Sequence, residues 1–234
     1  MRINKYLSES GITSRRGADK MINDGRVLIN GRLAELGSQV EQGDSVVVDG
    51  QPVLLNKGYV YLKLNKPRGI TSTTERHIKG NIVDFVGHQE RIFHIGRLDK
   101  DSEGLILLTN DGDIVNEILR AENKHEKEYI VTVDRQMTDE FLKHMSEGVA
   151  ILDTVTLPAA VTKINDYTFN IVLTQGLNRQ IRRMCEALGY NVRKLKRVRV
   201  MNILVDGLKT GEWQDLNNEE RDELFKQLDY HPKR

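Results

Sequence analysis

The stretch GRLDKDSEGLILLTNDG, residues 96–112, places three carboxylates within five positions: Asp99, Asp101 and Glu103. A glycine and the apolar run LILL follow directly, and such a run is typical of a buried strand. The preceding segment RIFHIG alternates apolar and polar residues, as a strand does. The stretch therefore predicts a polar loop between two strands, and it is the densest group of reactive side chains in the chain.

Two interpretations of these carboxylates fit the sequence poorly. A calcium loop of the EF-hand type would put Asp99, Asp101 and Glu103 at its first, third and fifth positions, but its twelfth position is Asn110 where a bidentate glutamate is needed. A glycosidase-like pair needs two carboxylates on opposite sides of a sugar, about 5–9 Å apart. Asp99 and Asp101 would both approach from one side of an extended segment.

A third interpretation uses a single aspartate as a nucleophile or as an electrostatic stabiliser. Such a carboxylate must stay ionised while shielded from water, which requires a fixed cation nearby. The amphipathic segment NRQIRRMCEALG supplies candidates, because Arg179, Arg182 and Arg183 cluster near its start. An ordinary Asp–Arg pair that only holds the fold is equally compatible with these residues.

Composition excludes several classes of protein. Of 234 residues, 38% are hydrophobic and 29% charged, and no apolar run approaches the roughly 20 residues needed to span a bilayer. The N-terminal segment MRINKYLSES is too polar for a secretory signal, and the single Cys185 suits a reducing cytoplasm. No Cys/His cluster or glycine-rich phosphate loop is seen, so we expect no metal and no cofactor.

The net charge of +1 conceals two basic regions. Residues 1–32 carry seven Lys or Arg against three acidic residues, and residues 176–200 carry eight against one. Segregated basic regions on a near-neutral protein indicate a polyanionic partner. The alternative is that these long side chains are merely solvated.

The pattern of elements predicts two units. Residues 1–49 read as a compact module with two helices, the second capped by Ser14, and a hairpin turning at Asn30-Gly31. Residues 50–57 read as a linker. Residues 58–234 mix strands and helices without regular βαβ alternation, which predicts an α+β fold with a largely antiparallel sheet. Within it, YVYLKLNKP is expected to be a half-buried strand, and NNEERDELFKQL a final helix with a capping box.

Four motifs resemble a known family. GRLDKDSEGLILLTNDG, KEYIVTV and GLNRQIRRM, in that order, resemble the three core motifs of the RNA pseudouridine synthases, in the pattern of the RsuA-like branch. KLNKPRGI resembles the Lys-Pro-x-Gly motif of that branch. SRRGADKMINDGRVLING resembles the small RNA-binding module named after ribosomal protein S4. LRAENKHEKEYIVTVD and TQGLNRQIRRMCEALGY are most similar to the type that modifies large-subunit ribosomal RNA.

The resemblance implies a fold with a central cleft and assigns residues to roles. Asp99 matches the catalytic aspartate, Tyr129 the tyrosine that stacks on the target base and serves as a late proton acceptor, and Arg182 the basic residue paired with the aspartate. Leu195 and Arg97 match the substrate pocket. The family varies most at Lys100 and Asp101, so the resemblance gives Asp101 no role.

The implied reaction breaks the bond between uracil and ribose, rotates the base and rejoins it through carbon five. Asp99 could act at the anomeric carbon, or remove a ribose proton to give a glycal-like intermediate, and the sequence leaves both open. The expected partner is 23S ribosomal RNA, with 16S RNA or a transfer RNA as alternatives. A non-catalytic RNA-binding or ribosome-assembly protein and a glycosidic-bond hydrolase are the competing classes.

We expect a cytoplasmic monomer that contacts neither membrane nor metal. Phosphate contacts, which set affinity more than sequence choice, are expected from basic residues of both units. In the module these are Arg2, Lys5, Arg15, Arg16, Lys20 and Arg26, and in the larger unit Arg179, Arg183, Lys196 and Arg197.

Overall fold

The computed structural model describes residues 1–55, 58–120 and 124–232. Three expectations extend past these ranges. The last two residues of the expected linker, three residues of the motif LRAENKHEKEYIVTVD and the final two residues of the larger unit lie outside the described residues.

The N-terminal module packs two helices against a small antiparallel sheet of four strands. Ser14 caps the second helix, since its side chain accepts a hydrogen bond from the Gly17 amide. Asn30 and Gly31 have φ of 50° and 77°, so the predicted hairpin turn is confirmed. The elements are α1 (Ile3–Glu9), α2 (Arg15–Asn23), β1 (Val27–Ile29), β2 (Arg32–Leu33), β3 (Val46–Val48) and β4 (Gln51–Pro52).

The sheet of the module continues into the segment expected to be a linker. Gln51–Pro52 pairs with β3. The Val53 carbonyl accepts a hydrogen bond from the Tyr6 hydroxyl at 3.0 Å, and Val53 packs in the core of the module. The turn that leads into β4 is Asp49-Gly50, both with positive φ. This Asp-Gly pair was a readable hairpin signal, and it places residues 50–53 in the module.

The larger unit is built on a nine-stranded sheet with helices on its faces. Its elements, in chain order, are β5 (Tyr61–Lys66), α3 (Ile82–Val86), β6 (Phe93–Ile95), β7 (Glu103–Thr109), α4 (Gly112–Leu119), β8 (Lys127–Val133), α5 (Asp139–Glu147), β9 (Ala150–Ile151), β10 (Thr154–Val155), β11 (Ala160–Asn165), β12 (Thr168–Leu173), α6 (Gln180–Ala187), β13 (Val192–Val200), β14 (Ile203–Leu204), β15 (Trp213–Asp215) and α7 (Asn218–Leu228).

The main sheet has the order β11-β12-β8-β13-β7-β5-β15, with β14 and β6 as side branches. All pairs among the described strands are antiparallel except β7 with β13, where Lys196 lies opposite Glu103 and Arg197 opposite Gly104. The expected α+β class with a mainly antiparallel sheet is confirmed. The single parallel contact joins the strand that follows the carboxylate loop to the strand that follows the arginine-rich helix.

The expectation of a half-buried strand at YVYLKLNKP is wrong, because all six residues of β5 are buried. Leu62 and Leu64 pack with α3 on one face, while Tyr61 on the other face packs in the cluster that contains Leu224 of α7. Lys63 ion-pairs with Glu220 of α7 at 2.5 Å, and Lys66 has no exposed surface. The capping box at the start of α7, Asn217 with Glu220, is present as predicted.

The module contacts the larger unit through an ion pair. Lys5 Nζ lies 2.7 Å from both carboxylate oxygens of Asp113, in the first turn of α4. Lys5 also lies 3.5 Å from Glu9 of its own helix. Its side chain is therefore engaged within the protein, in contrast to the phosphate contact expected from the sequence.

Candidate active site

The loop that carries Asp99 is anchored on both sides by backbone hydrogen bonds. The Ser72 hydroxyl donates to the Leu98 carbonyl at 2.8 Å and accepts from the Leu98 amide at 3.2 Å. On the other side, the Gly69 amide donates to the Lys100 carbonyl at 2.7 Å. The Lys-Pro-x-Gly segment therefore fixes the position of the aspartate, whose side chain is 32% exposed.

Two arginines at the start of α6 contact the carboxylates of this loop, as the interpretation of a single charged aspartate requires. Arg179 Nη1 lies 3.1 Å from Oδ2 of Asp99 and 3.4 Å from Oδ1 of Asp101. Arg182 lies 3.9 Å from Oδ2 of Asp99 through Nε and 3.3 Å from Oδ2 of Asp101 through Nη2. Asp101, to which the sequence assigned no role, is thus part of the same charge cluster.

The shorter contact to Asp99 comes from Arg179 rather than from Arg182, the partner that the family pattern implies. Arg182 is more deeply buried than Arg179, with its side chain 8% exposed. Its Nη2 donates to the Ser102 hydroxyl at 3.1 Å, and its Nη1 donates to the Val192 carbonyl at 3.5 Å. Its Nε is buried without a hydrogen-bond partner among the described residues, on the side where Asp99 Oδ2 lies.

The opposite charges of this cluster stabilise one another, and this shows in the pKa values of its members. Burial raises the pKa of Asp101, but the charge of Arg182 and the hydrogen bond from Arg179 outweigh it and hold that pKa below its usual value. Burial lowers the pKa of Arg182, opposed by Asp101. The nearby Lys66, which donates to the carbonyls of Pro67 and Ile70, has a pKa lowered to about 8 by burial.

Strands β8 and β13 bring the expected pocket residues to this loop. Tyr129 on β8 and Leu195 on β13 line a cavity of about 100 Å³ together with Asp99, Arg97 and Arg179. A neighbouring cavity of about 490 Å³ opens on the other side of Asp99, beside Arg68. The catalytic and pocket residues implied by the resemblance therefore surround one cleft, with Arg182 behind it.

Sequence reasoning missed two residues that shape this cleft. Ser102 holds the Arg182 guanidinium, and Lys66 holds the backbone of the loop that carries Gly69. Ser102 gave no signal that distinguishes it from a surface serine. Lys66 was visible in the Lys-Pro-x-Gly motif, but its burial could not be read from a strand that alternates in sequence.

Some of the residues expected to contact phosphate already bond to other groups of the protein. Arg183 is half-buried and donates to Asn178, and Arg26 pairs with Asp49 at 2.5 Å. Arg197 is 3% exposed and its Nε donates to the Leu105 carbonyl at 2.7 Å, so it is an interior residue and does not lie on an open surface. Arg2, Arg15, Arg16 and Lys20 are exposed, and Arg26 and Arg179 are exposed although each pairs with an aspartate, while Lys196 is half-buried.

Within residues 1–55, 58–120 and 124–232, no group of three or more His, Cys, Asp and Glu side chains is placed to hold a metal ion. No helix in the same ranges is both long and apolar enough to cross a membrane.

Comparison with known proteins identifies the family. The model of the RNA pseudouridylate synthase family matches residues 60–187, and the S4 domain model matches residues 1–46. The chain belongs to the RNA pseudouridine synthase family, the isomerases that convert uridine to pseudouridine in RNA. This confirms the resemblance drawn from the motifs, and it sets aside the non-catalytic and hydrolase alternatives.

Several relatives cover nearly the whole chain. It is 56% identical to the dual-specificity RNA pseudouridine synthase RluF of Escherichia coli K12, over 98% of this chain and 80% of that protein. It is 35% identical to ribosomal large subunit pseudouridine synthase B of Bacillus subtilis, over 94% and 93%. A crystal structure of a pseudouridylate synthase superposes with a TM-score of 0.71 at 29% identity, covering 96% of this chain and 99% of that one.

Proposed function

We propose that this synthase isomerises uridine in large-subunit (23S) ribosomal RNA, with Asp99, Tyr129 and Arg182 as its catalytic residues. The observation that carries the assignment of residues is the cleft itself, where the Asp99 carboxylate and the Tyr129 ring line one cavity. The choice of RNA rests on the relatives of this chain, one of which is a ribosomal large subunit synthase.

Asp99 is the residue that acts on the ribose. Its carboxylate lies 3.1 Å from Arg179 and 3.9 Å from Arg182, which supply two positive charges to a partly shielded site. An anionic carboxylate there can stabilise or attack the anomeric carbon as the bond to uracil breaks, or remove a ribose proton. Either path returns the base to the same sugar, so the mass of the RNA does not change.

Tyr129 holds the base while it is detached. Taking a uridine out of its stack costs a few kcal/mol. Stacking of the base on an aromatic side chain offsets this by about 1–3 kcal/mol. Tyr129 is half-buried in the middle of β8, where the sheet fixes its ring, and Leu195 on the neighbouring strand supplies an apolar wall. Rotation of the free uracil then takes place in this pocket.

The N-terminal module binds the RNA and positions it for the larger unit. Arg2, Arg15, Arg16 and Lys20 are exposed on it, and cations of this kind set affinity by neutralising phosphates. The ion pair between Lys5 and Asp113 holds the module against the larger unit. We expect one protein copy to bind one RNA, in the cytoplasm where ribosomal RNA is made.

A second RNA substrate is a specific alternative. The Escherichia coli relative is named as a dual-specificity enzyme, and the chain is 56% identical to it. Small-subunit RNA and transfer RNA are the classes to test beside large-subunit RNA.

Tritium release from RNA labelled at carbon five of uridine tests the proposal. The carbon-five hydrogen is lost to water when carbon five bonds to the ribose, so release counts turnovers. We expect release from 23S RNA by the wild type and none by Asp99→Asn, with RNA affinity retained. Release from 16S RNA or transfer RNA in place of 23S RNA would overturn the choice of substrate. Equal release by Asp99→Asn would overturn the role of Asp99.

A further inference from the structure

A third cavity adjoins the active-site cleft beside Tyr129. It has a volume of about 360 Å³ and shares Tyr129 and Arg97 with the active-site cleft. Its other cationic lining residues are Arg120 at the end of α4, Lys127 at the start of β8 and Arg197 on β13. Among the described residues that line it, four are cations and none is a carboxylate.

Arg197 is the most unusual of these cations, because it is buried without an acidic partner among the described residues. The residue is 3% exposed, and its one side-chain hydrogen bond to the described residues goes from Nε to the Leu105 carbonyl. Its Nη2 is fully buried and has no hydrogen-bond partner within the described residues. A buried guanidinium with an unpaired N–H group lowers the stability of the fold unless an anion accepts its hydrogen bond and balances its charge.

Lys127 adds a second cation beside it. The side chain is half-buried, and its Nζ reaches only the His125 carbonyl, at 3.1 Å, among the described groups. Burial lowers the pKa of Lys127, and the charge of Arg197 lowers it further, so the two cations repel each other across the cavity. Two like charges held together in this way are the arrangement that an anion would stabilise.

We propose that this cavity is a phosphate subsite, which takes a backbone phosphate of the RNA next to the uridine held on Tyr129. The inference rests on the proposed RNA substrate. Arg197 and Lys127 form the inner wall of the subsite, and Arg120 and Arg97 its rim. Because Tyr129 and Arg97 line both cavities, a strand that places its base in the cleft can place an adjoining phosphate in the neighbouring cavity. The subsite positions the strand and takes no part in the bond changes.

The test measures how strongly RNA binding depends on salt. Fluorescein-labelled decauridylate is titrated by anisotropy at several potassium chloride concentrations, with wild type, Lys127→Met and Arg120→Met. We expect each variant to bind about 3–10-fold more weakly at low salt. Its slope of log affinity against log salt should be about 0.7 shallower, the value for one lost contact to a single strand. Arg120 is exposed and can be replaced without disturbing the core, so it keeps the test valid if Lys127→Met folds poorly.

The chain offers a matched control in Lys143. Like Arg120, it is an exposed cation that pairs with a glutamate one turn away, but it lines neither cavity. Lys143→Met should leave affinity and slope at the wild-type values. Equal slopes in the wild type, Lys127→Met and Arg120→Met would overturn the subsite.

Two further arms identify the source of the anion. A decauridylate with an uncharged methylphosphonate backbone should bind wild type and Lys127→Met equally, because it has no charge to lose. A larger loss with the neutral strand would contradict a phosphate contact. If 10 mM inorganic phosphate protects wild type but not Lys127→Met from heat while the RNA slopes stay equal, the cavity takes a free anion and the proposal for RNA fails. None of these readouts requires turnover, so a failed tritium assay is distinguished from a failed subsite.

Discussion

Arg179 Nη1 lies 3.1 Å from Oδ2 of Asp99, although the two residues are 80 positions apart in the chain. The contact joins the loop before β7 to the start of α6, where Arg179 has a left-handed φ of 49°. The charge of the aspartate is therefore shared between an arginine that is 39% exposed and another, Arg182, that is 8% exposed. Because Arg182 is more buried than Arg179, we expect its replacement to lower the free energy of unfolding by more.

Replacing each arginine by methionine separates the two contributions. Arg179→Met should reduce kcat about 10-fold with a change in unfolding free energy below about 1 kcal/mol, as expected for an exposed pair. Arg182→Met should reduce kcat about 100-fold and cost about 2–4 kcal/mol, because it strips a buried partner from Asp101 and Ser102. Tritium release and urea unfolding measure both effects, with Arg221→Met on α7 as the control. Wild-type turnover by Arg182→Met would contradict the assignment.

Tyr129 provides a test of the stacking platform. Tyr129→Leu should weaken productive binding of the uridine by about 1–3 kcal/mol, seen as a rise in KM with a fall in kcat. Tyr129→Phe keeps the ring, so it should retain KM. Any fall in its kcat should then measure the contribution of the Tyr129 hydroxyl as a proton acceptor. Steady-state tritium release distinguishes the two, and Tyr167→Leu, at an exposed tyrosine, is the control. If the leucine variant matched the wild type, Tyr129 would be only a packing residue of the sheet.

Gly104 is required where the parallel strands meet. Its φ is 106°, and a Cβ at this position would overlap the carbonyl of Arg197 and lie 2.7 Å from its backbone nitrogen. Gly104→Ala should therefore cost about 3–5 kcal/mol, from backbone strain together with overpacking. Gly58→Ala is the matched control, since a Cβ there meets nothing within 4 Å. A thermal midpoint for Gly104→Ala equal to that of the control would show that the two strands can separate without penalty.

The buried Lys66 makes stability depend on pH in a definite direction. Its folded pKa is lowered to about 8 by burial, from an ordinary value of 10.5. Between these values the unfolded chain binds the extra proton, so the free energy of unfolding should rise with pH, by about 1–3 kcal/mol from pH 8 to pH 10. Urea unfolding at several pH values, with Lys66→Met as the reference, isolates this contribution. A constant difference between the two proteins over that range would mean that Lys66 does not lose its proton in the folded state.

Local signals in the sequence were sufficient wherever a structure is fixed by residues close together in the chain. The Ser14 cap, the Asn30-Gly31 turn and the capping box at Asn217 were all read from fewer than five residues, and each is present. The motif residues Asp99 and Tyr129 also meet in one cleft, as their resemblance implies.

The sequence could not show what distant elements cover or contact. Strand β5 alternates like a half-exposed strand, yet α3 covers one of its faces and α7, about 150 residues away along the chain, packs on the other. Arg197 and Lys5 look like surface cations in a basic region, but strand pairing buries the first and Asp113 holds the second. Arg179 and Arg182 lie one turn apart, so only the path of the loop decides which of them comes nearer to Asp99.

The parallel contact between β7 and β13 has a consequence for hydrogen exchange. Asp99 and its loop enter β7, whereas Tyr129, Leu195 and α6 belong with β8 and β13, so the cleft is shared between the two halves of the sheet. Opening it by parting these halves would break the pairing at Gly104 and Arg197 in the middle of the sheet. Amide protons of β7 and β13 should therefore exchange only through global unfolding, while the termini and the β9–β10 hairpin exchange by local opening.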